Sequence, residues 1–298
     1  MPRVMEISTP LDPDLLFHAM HAREELGRIG EYRIDLLSLK DSIDLNANLG
    51  KNVTVTVQLQ DDSPRYFNGY VTRFSQGGTR GKYRRYYATV NTWAWFMSRT
   101  ADCRIFQDMS VPDIVKKVLA DDPTAKFKDS LTGSYRKWTY CVQYRETDLN
   151  FVCRLLEHEG IYFYFTHVQG QHTMVLADSY SGHESCSGDP IPFIAPEDLA
   201  RPDIEHIGTW TLAREVQPGV YAQDDYDFER PSVELKTQKP VVRQYTPSDY
   251  EVFDYPGFYT QKGDGEALAA VRIDEYGAQF ETAQAASNHK KIAVGSLF

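Results

Sequence analysis

Positive charge is what this chain is short of: 32 Lys and Arg stand against 42 Asp and Glu, for a formal net charge of −10. That balance argues against nucleic acid as the main partner, because a phosphate backbone is held by a basic surface. Only Arg80 to Arg85 approaches a basic patch. Cysteine is scarce too. Cys103, Cys141, Cys153 and Cys186 form no C-x-x-C pair, and two of them sit inside apolar helix or strand patterns. Reduced, mostly buried thiols in a cytosolic protein are therefore expected rather than disulfides. No run approaches the roughly 20 apolar residues of a membrane span, so stable membrane insertion is not expected. The opening Met1-Pro2-Arg3-Val4-Met5-Glu6-Ile7 has no charged-then-apolar secretory signal. Folding in the cytoplasm follows as the expectation, with any export left to something other than a signal peptide.

What is present points to strands. The 298 residues suggest two or three compact units. Aromatics reach 13%, with 19 Tyr and 15 Phe, which favours large packed strand surfaces. Residues 1–30 read as a first strand followed by a helical or irregular stretch from Asp14 to Gly30. Tyr32, Ile34 and Leu36 alternate with charged residues, and Val53 to Gln60 is the cleanest period-two segment in the chain. Arg65 to Phe74 returns, Gln76 to Lys82 reads as a loop, and Tyr83 to Trp93 closes a meander suited to a small barrel or curled antiparallel sheet. At Ser110 the period changes. Ser110 and Asp113 make a box-like cap, Pro112 suits a first turn, and Val111, Ile114, Val115, Val118 and Leu119 mark one face. Asp121-Asp122-Pro123 ends that helix. Further strands are expected at 207–215, 219–229 and 233–244, a long polar loop at 179–202, and a last helix from Gly265 to Ala286 that tolerates Gly277 at about 1 kcal/mol.

The most organised stretch runs from Tyr144 to Asp178. Thr147 is placed to cap a helix, Asp148 meets the positive end of its dipole, and Leu149, Val152, Leu155 and Leu156 form an apolar stripe. Gly160 ends the helix, Ile161 to Phe165 is a β-branched and aromatic strand, and Gln169-Gly170-Gln171 turns the chain into a return strand, Thr173 to Ala177. This string resembles the VgrG family, the spike hubs of bacterial type VI secretion systems. Tyr144-Arg145-Glu146, Glu159-Gly160, Tyr162-Phe163-Tyr164-Phe165 and Leu176-Ala177-Asp178 occur in the family's order. Asn68-Gly69-Tyr70-Val71-Thr72-Arg73-Phe74, Arg104-Ile105-Phe106-Gln107, Asp225-Tyr226-Asp227-Phe228 and Val252-Phe253-Asp254-Tyr255-Pro256-Gly257 extend the similarity from about Thr9 to Phe298.

The resemblance implies an α+β, predominantly β fold, with two barrel-like antiparallel β domains carrying helical insertions. It divides the chain into a first barrel-like domain, 1–99, and a helical insert, 100–165. A second strand-rich region, 166–262, and a C-terminal helix with the start of a strand, 263–298, follow. It also implies a homotrimer, an Hcp-type tube protein, baseplate components, and effector or adaptor proteins as partners, with no cofactor. Translocation into target cells would then proceed without a signal peptide. The family continues into an oligonucleotide/oligosaccharide-fold domain and a β-helical needle, neither of which this sequence contains, so it reads as a fragment. Asn288 to Phe298 resembles the strand leading toward that domain, but departs where the family usually has a cysteine after the asparagine.

The residue types that catalysis needs are present but scattered. His18 and His21 are spaced to share a helix face as metal ligands but have no third ligand nearby in sequence. Glu157, His158 and Glu159 are neighbours that a helix points apart. His183, Glu184 and Cys186 have metal-ligand types without a second pair. Gly77, Gly78 and Gly81 before Lys82 lack phosphate-loop spacing, and Ser296 has no G-x-S-x-G frame. The pairs Asp61-Asp62, Asp121-Asp122 and Asp224-Asp225 suit turns. No catalytic, cofactor or metal residues are assigned, and no enzyme is expected. Assembly is the alternative, supported by the aromatic groups Trp93 to Phe96, Tyr83 to Tyr87 and Tyr250 to Tyr259. The expected function is a trimeric hub joining an Hcp-type tube to a membrane-puncturing needle and helping deliver effectors. A contractile phage or prophage tail hub remains the nearest alternative. A cell-wall hydrolase or toxin, with its activity beyond residue 298, and an effector-binding module using loop 179–202 are the others. The Tyr144–Asp178 stripe is expected to be a packing seam between the two halves.

Overall fold

The computed structural model describes residues 5–8, 13–186, 190–198 and 204–298. The chain divides into two compact units. The first comprises Met1–Leu156, Ile161–Gly188 and Lys290–Phe298, and the second comprises Glu157–Gly160 and Asp189–His289.

The first unit begins with strands Met5–Ser8 (β1), Leu16–Arg23 (β2), Glu31–Ser38 (β3), Asn52–Gln58 (β4), Pro64–Arg80 (β5) and Tyr83–Asn91 (β6). They form one antiparallel sheet in the order β1-β4-β5-β6-β3-β2. Alternation puts Val53, Val55, Val71, Phe74, Tyr86, Ala88 and Val90 into one buried cluster with Tyr32, Ile34 and Leu36. Two expectations are corrected here. Asp14 to Gly30 is not helical, because β2 pairs with β3 from Leu16↔Leu37 to Arg23↔Glu31. The loop expected at Gln76 to Lys82 is mostly strand: β5 absorbs Gly77 and Gly78 in a bulge between Gln76 and Thr79, and the turn falls at Gly81 and Lys82.

Ala101–Phe106 (β7) and Met109–Ser110 (β8) then lead into helix Val111–Leu119 (α1), where Ser110 accepts from the Asp113 N–H as expected. Phe127–Ser130 (β9), Lys137–Trp138 (β10) and Cys141–Thr147 (β11) follow. Helix Asp148–Glu159 (α2) comes next, then strands Tyr162–Val168 (β12), Gln171–Ala177 (β13) and Glu184–Ser185 (β14). Thr147 caps α2 by accepting from the Asn150 N–H at 3.2 Å, and Gly160 ends it with a φ of +71°. The boundary expected after residue 165 falls inside β12. Val152, Leu155 and Leu156 are buried with Phe151, with Val111 to Leu119 of α1, and with Phe163, Met174 and Leu176 of the hairpin. The stripe is thus the interior of one core within the first unit. Each such side chain contributes about 1.5–3 kcal/mol by leaving water. All four cysteines are free thiols, with Cys141 buried and Cys103 exposed.

In the second unit, Ile207–Arg214 (β15), Val220–Gln223 (β16), Thr237–Pro240 (β17) and Glu251–Asp254 (β18) precede helix Lys262–Phe280 (α3) and strand Glu281–Ser287 (β19). The sheet order is β17-β16-β18, and β15 pairs with β19 as a separate ribbon. The strands expected at 219–229 and 233–244 are shorter than anticipated. They reduce to Val220–Gln223 and Thr237–Pro240, the second ending at Pro240, which has no N–H to continue a ladder. The expected helical end at Ala286 is also corrected. Glu281 to Ser287 has helix-favouring alanines, but its backbone pairs with β15 from Arg214↔Glu281 onward, and that ladder overrides propensity. Tyr259 organises this unit. Its ring lies where a Cβ on Gly257 or Gly265 would come within 2.3–2.4 Å, and its hydroxyl donates to the Leu235 carbonyl at 2.8 Å. The final strand, Ser296–Leu297 (β20), belongs to the first unit, where it pairs in parallel with β14. The loop expected at 179–202 lies partly outside the described residues; its described part carries β14 and a 3-10 turn, Tyr180–Gly182. Among the described residues no helix is long and apolar enough to cross a membrane.

Candidate functional site

Several of the chemistry-bearing residues singled out from sequence hold parts of the chain together. His18 and His21 are both exposed on β2, where a bulge at His18 breaks the strand's alternation; the Arg80 guanidinium contacts His18 Nε2. His183 is sandwiched by aromatic rings, stacked on Tyr162 at 5.6 Å and on Tyr164 at 5.4 Å. The Tyr162 hydroxyl contacts His183 Nε2 at 2.6 Å, and His183 Nδ1 donates to the Gly295 carbonyl at 2.9 Å. Glu184 is exposed, and Ser296 is paired in β20. Among the described residues no three His, Cys, Asp or Glu side chains converge as a metal site.

The charged residues of the Tyr144–Asp178 stretch hold the helix-hairpin unit in place. Arg145, with a φ of +53°, forms a bulge in β11, so Tyr144 pairs with Cys103 and Glu146 with Asp102. Glu146 accepts from Arg154 Nη2 at 2.6 Å and from Asn150 Nδ2 at 2.5 Å, and the arginine contact holds its carboxyl below the ordinary range. Asp148 accepts from Arg104, Gln143 and Thr100 at 2.5, 2.7 and 2.7 Å. Asp178 accepts from the backbone of Thr132 and Gly133 and from the Tyr135 hydroxyl. Burial opposes ionisation there, yet these donors hold its pKa down to about 2.

A second feature was not singled out from sequence. His167 and His172 face each other across the β12–β13 turn and latch the hairpin to the large sheet. His172 Nε2 accepts from the Trp93 N–H at 2.7 Å, so Nδ1 carries the proton and donates to Asn68 Oδ1 at 2.6 Å. Burial, then the neighbouring His167, push the His172 pKa down to about 3. His167 takes the opposite tautomer: Nδ1 accepts from the Asn68 N–H at 3.1 Å, and Nε2 lies 3.2 Å from Glu24 and 3.0 Å from the Tyr32 hydroxyl. Asn68 Nδ2 also donates to Asn52 at 2.7 Å and to Thr54 at 2.8 Å. Burial opposes charge on Glu24, but His167, Tyr32 and Arg65 together hold its carboxyl below the ordinary value. The available signal was symmetry: residues 167 and 172 lie equally far from the turn at Gln169 and Gly170, which makes them cross-strand neighbours.

Beside this ladder, the first unit clasps the C-terminal segment. Arg65 Nη1 donates to the Lys290 and Ile292 carbonyls at 2.5 and 2.7 Å, with its guanidinium 4.6 Å above the Phe67 ring. Lys291 Nζ meets Asp61 at 2.6 Å, and the Cys186 N–H donates to the Leu297 carbonyl at 2.9 Å. Val294 packs on the Tyr164–Val175–Ala177 cluster. The clasp leaves a groove of about 420 Å³ lined by Glu24, Arg65, Phe67, His167, Tyr164 and Val294. Most of its polar groups already hold another part of the chain. The arrangement is equipped to hold a strand in place; no nucleophile is paired with a base.

The first unit is thus a curled antiparallel sheet carrying a latched helix-hairpin unit and a clasped terminal strand. Residues 23–298 match the phage tail baseplate hub (GPD) family, and the chain belongs to it. It is 42% identical over 99% of its length to the type VI secretion system spike proteins VgrG1c and VgrG1a of Pseudomonas aeruginosa. The chain spans 41% and 46% of the length of those two relatives. It is also 26% identical, over 28% of that protein, to the actin cross-linking toxin VgrG1 of Vibrio cholerae. Among solved structures, the Escherichia coli c3393 protein, described as a component of the type VI secretion system, shares the fold with a TM-score of 0.68 at 19% identity. That likeness covers 98% of this chain and 65% of c3393. A tail protein from Neisseria meningitidis aligns with a TM-score of 0.60 at 12% identity, over 94% of this chain and 79% of its own.

Proposed function

We propose that this chain forms the head of a type VI secretion spike. In this reading it is a homotrimeric hub that joins an Hcp-type tube to a membrane-puncturing needle and helps deliver effectors. The observation that carries the reading is 42% identity to spike proteins across 99% of the chain, together with a fold whose polar sites hold segments in place. Its partners are further copies of itself, the tube protein, baseplate components and effector or adaptor proteins. It works without a catalytic site or cofactor, and it is assembled in the cytoplasm and translocated by the system without a signal peptide.

Deletion of the gene is expected to abolish release of the tube protein from contracting cells, and the full-length protein to restore it. Sedimentation of the full-length protein is expected to give a trimer. A strictly monomeric full-length protein, with tube release unchanged by the deletion, would overturn the reading. The fold shared with the Neisseria tail protein supports a second reading, a hub of a contractile phage or prophage tail. In that case deletion would abolish infectious particles and leave tube secretion intact.

A further inference from the structure

Among the described residues of the second unit, nothing covers the β15–β19 ribbon. From Gly208 onward β15 is largely exposed, and all of β19 is exposed, so both faces of this two-stranded ribbon are open. An isolated two-stranded ribbon is marginal in water. At its foot, where α3 passes into β19, lies a cleft of about 590 Å³ whose aromatic wall is Phe280. Tyr245 stacks on that ring at 6.0 Å and is held by two hydrogen bonds to the Gln217 backbone, at 2.6 and 2.8 Å. Val242, 93% exposed, and Val216 form the apolar rim.

Charge in the cleft comes from Arg243, Arg214 and Glu215. Arg214 is engaged by Glu281 at 2.6 Å. The Arg243 guanidinium lies 4.9 Å over the Phe280 ring and reaches the Pro218 carbonyl only at 3.4 Å. Among the described residues its solvent-shielded Nε has no acceptor. A guanidinium with donors to offer, set on an aromatic wall, fits a carboxylate adjoining an aromatic side chain. The same unit displays such a pair. Phe228 is 80% exposed next to the exposed Glu229. The turn that presents them is stiffened by Asp227, which accepts from the Glu229 N–H and from Arg230 Nε, each at 2.9 Å.

We propose that the Arg243–Phe280 cleft receives the Phe228-Glu229 turn of a second copy of this chain. Cleft and turn are different patches, so the contact is heterologous and propagates head to tail, closing into a ring when the rotation allows. The inference rests on the self-associating hub reading and deepens it by naming the residues that meet.

The test is sedimentation velocity across a concentration series with the 298-residue chain, comparing wild type with Phe228→Ala, Arg243→Glu, and the swap Arg243→Glu/Glu229→Arg. Each single variant is expected to weaken self-association at least about tenfold, and the swap to recover most of it. Phe228 is exposed enough that its truncation leaves folding intact, so that variant reports on the contact even if Arg243→Glu unfolds. Undiminished association of Phe228→Ala would overturn the cleft while leaving the hub reading standing. A swap no better than Arg243→Glu alone would overturn the pairing with Glu229. A wild-type chain that is monomeric throughout would overturn the cleft, whereas the hub reading falls only if the full-length protein is monomeric as well.

Discussion

Among the described residues of the first unit, eighteen buried side chains gather in the helix-hairpin core and twelve more under the large sheet. The second unit has two clusters of three. Exposed large apolar side chains run the other way: thirteen in the second unit against eleven in the first, although the second has little more than half as many residues. A unit that buries so little and displays so much fits a surface completed by other chains, as the recessed Arg243 cleft and the open ribbon suggest.

The comparison breaks most severely at Leu155. Leu155→Asp places a charge at a position with 0% exposure, and we expect a loss above about 4 kcal/mol that leaves the first unit unfolded. A soluble variant with a cooperative near-native melt would contradict this. In the second unit, Tyr259→Ala is expected to cost about 3–4 kcal/mol by emptying the space beside Gly257 and Gly265. Hydrogen exchange should rise across Val220 to Ile273 while the strands from Val53 to Val90 stay protected. Loss of protection in both regions would remove the contrast drawn between them.

The histidine latch sharpens the comparison through pH. His172 has a folded pKa of about 3, against an ordinary value of 6.5. Below pH 6.5 the unfolded chain binds a proton that the folded chain does not. The stabilisation is therefore complete above 6.5 and lost as pH falls toward 3, at up to about 1.4 kcal/mol per pH unit. Urea denaturation from pH 7 to 4, followed by a first-unit probe, should show this slope, and His172→Gln should flatten it. An unchanged slope would mean that other groups carry the acid sensitivity. Arg65→Met is expected to have a smaller and local effect, about 1–2 kcal/mol. Faster exchange confined to Ile292 through Leu297 would report a loosened clasp, and unchanged exchange there would place the hold elsewhere.

Much of the first unit was legible from sequence because its signals are local. Alternation marked β3 and β4, Ser110 and Asp113 marked the start of α1, and Thr147 and Gly160 bracketed α2. The candidate site was less legible. Arg65 and Ile292 are hydrogen-bonded 227 positions apart, and Asn68 and His172 104 apart, so no sequence window contains either pair. The errors have the same origin. The stretch from Leu16 to Arg23 becomes a strand because β3 offers it a ladder, and Glu281 to Ser287 leaves the helix because β15 does.

By itself the sequence determined the predominantly β class, the family and the helix-hairpin unit from Tyr144 to Asp178, since periodicity, caps and turn residues act within a few positions of one another. Only the tertiary structure decided that Glu146, Asp148 and Asp178 act as structural acceptors, that two unremarked histidines latch the hairpin, and that Arg243 faces an open cleft. Hydrogen-bond partners and burial are set by which strands the fold brings together, and that pairing depends on contacts far apart in the chain.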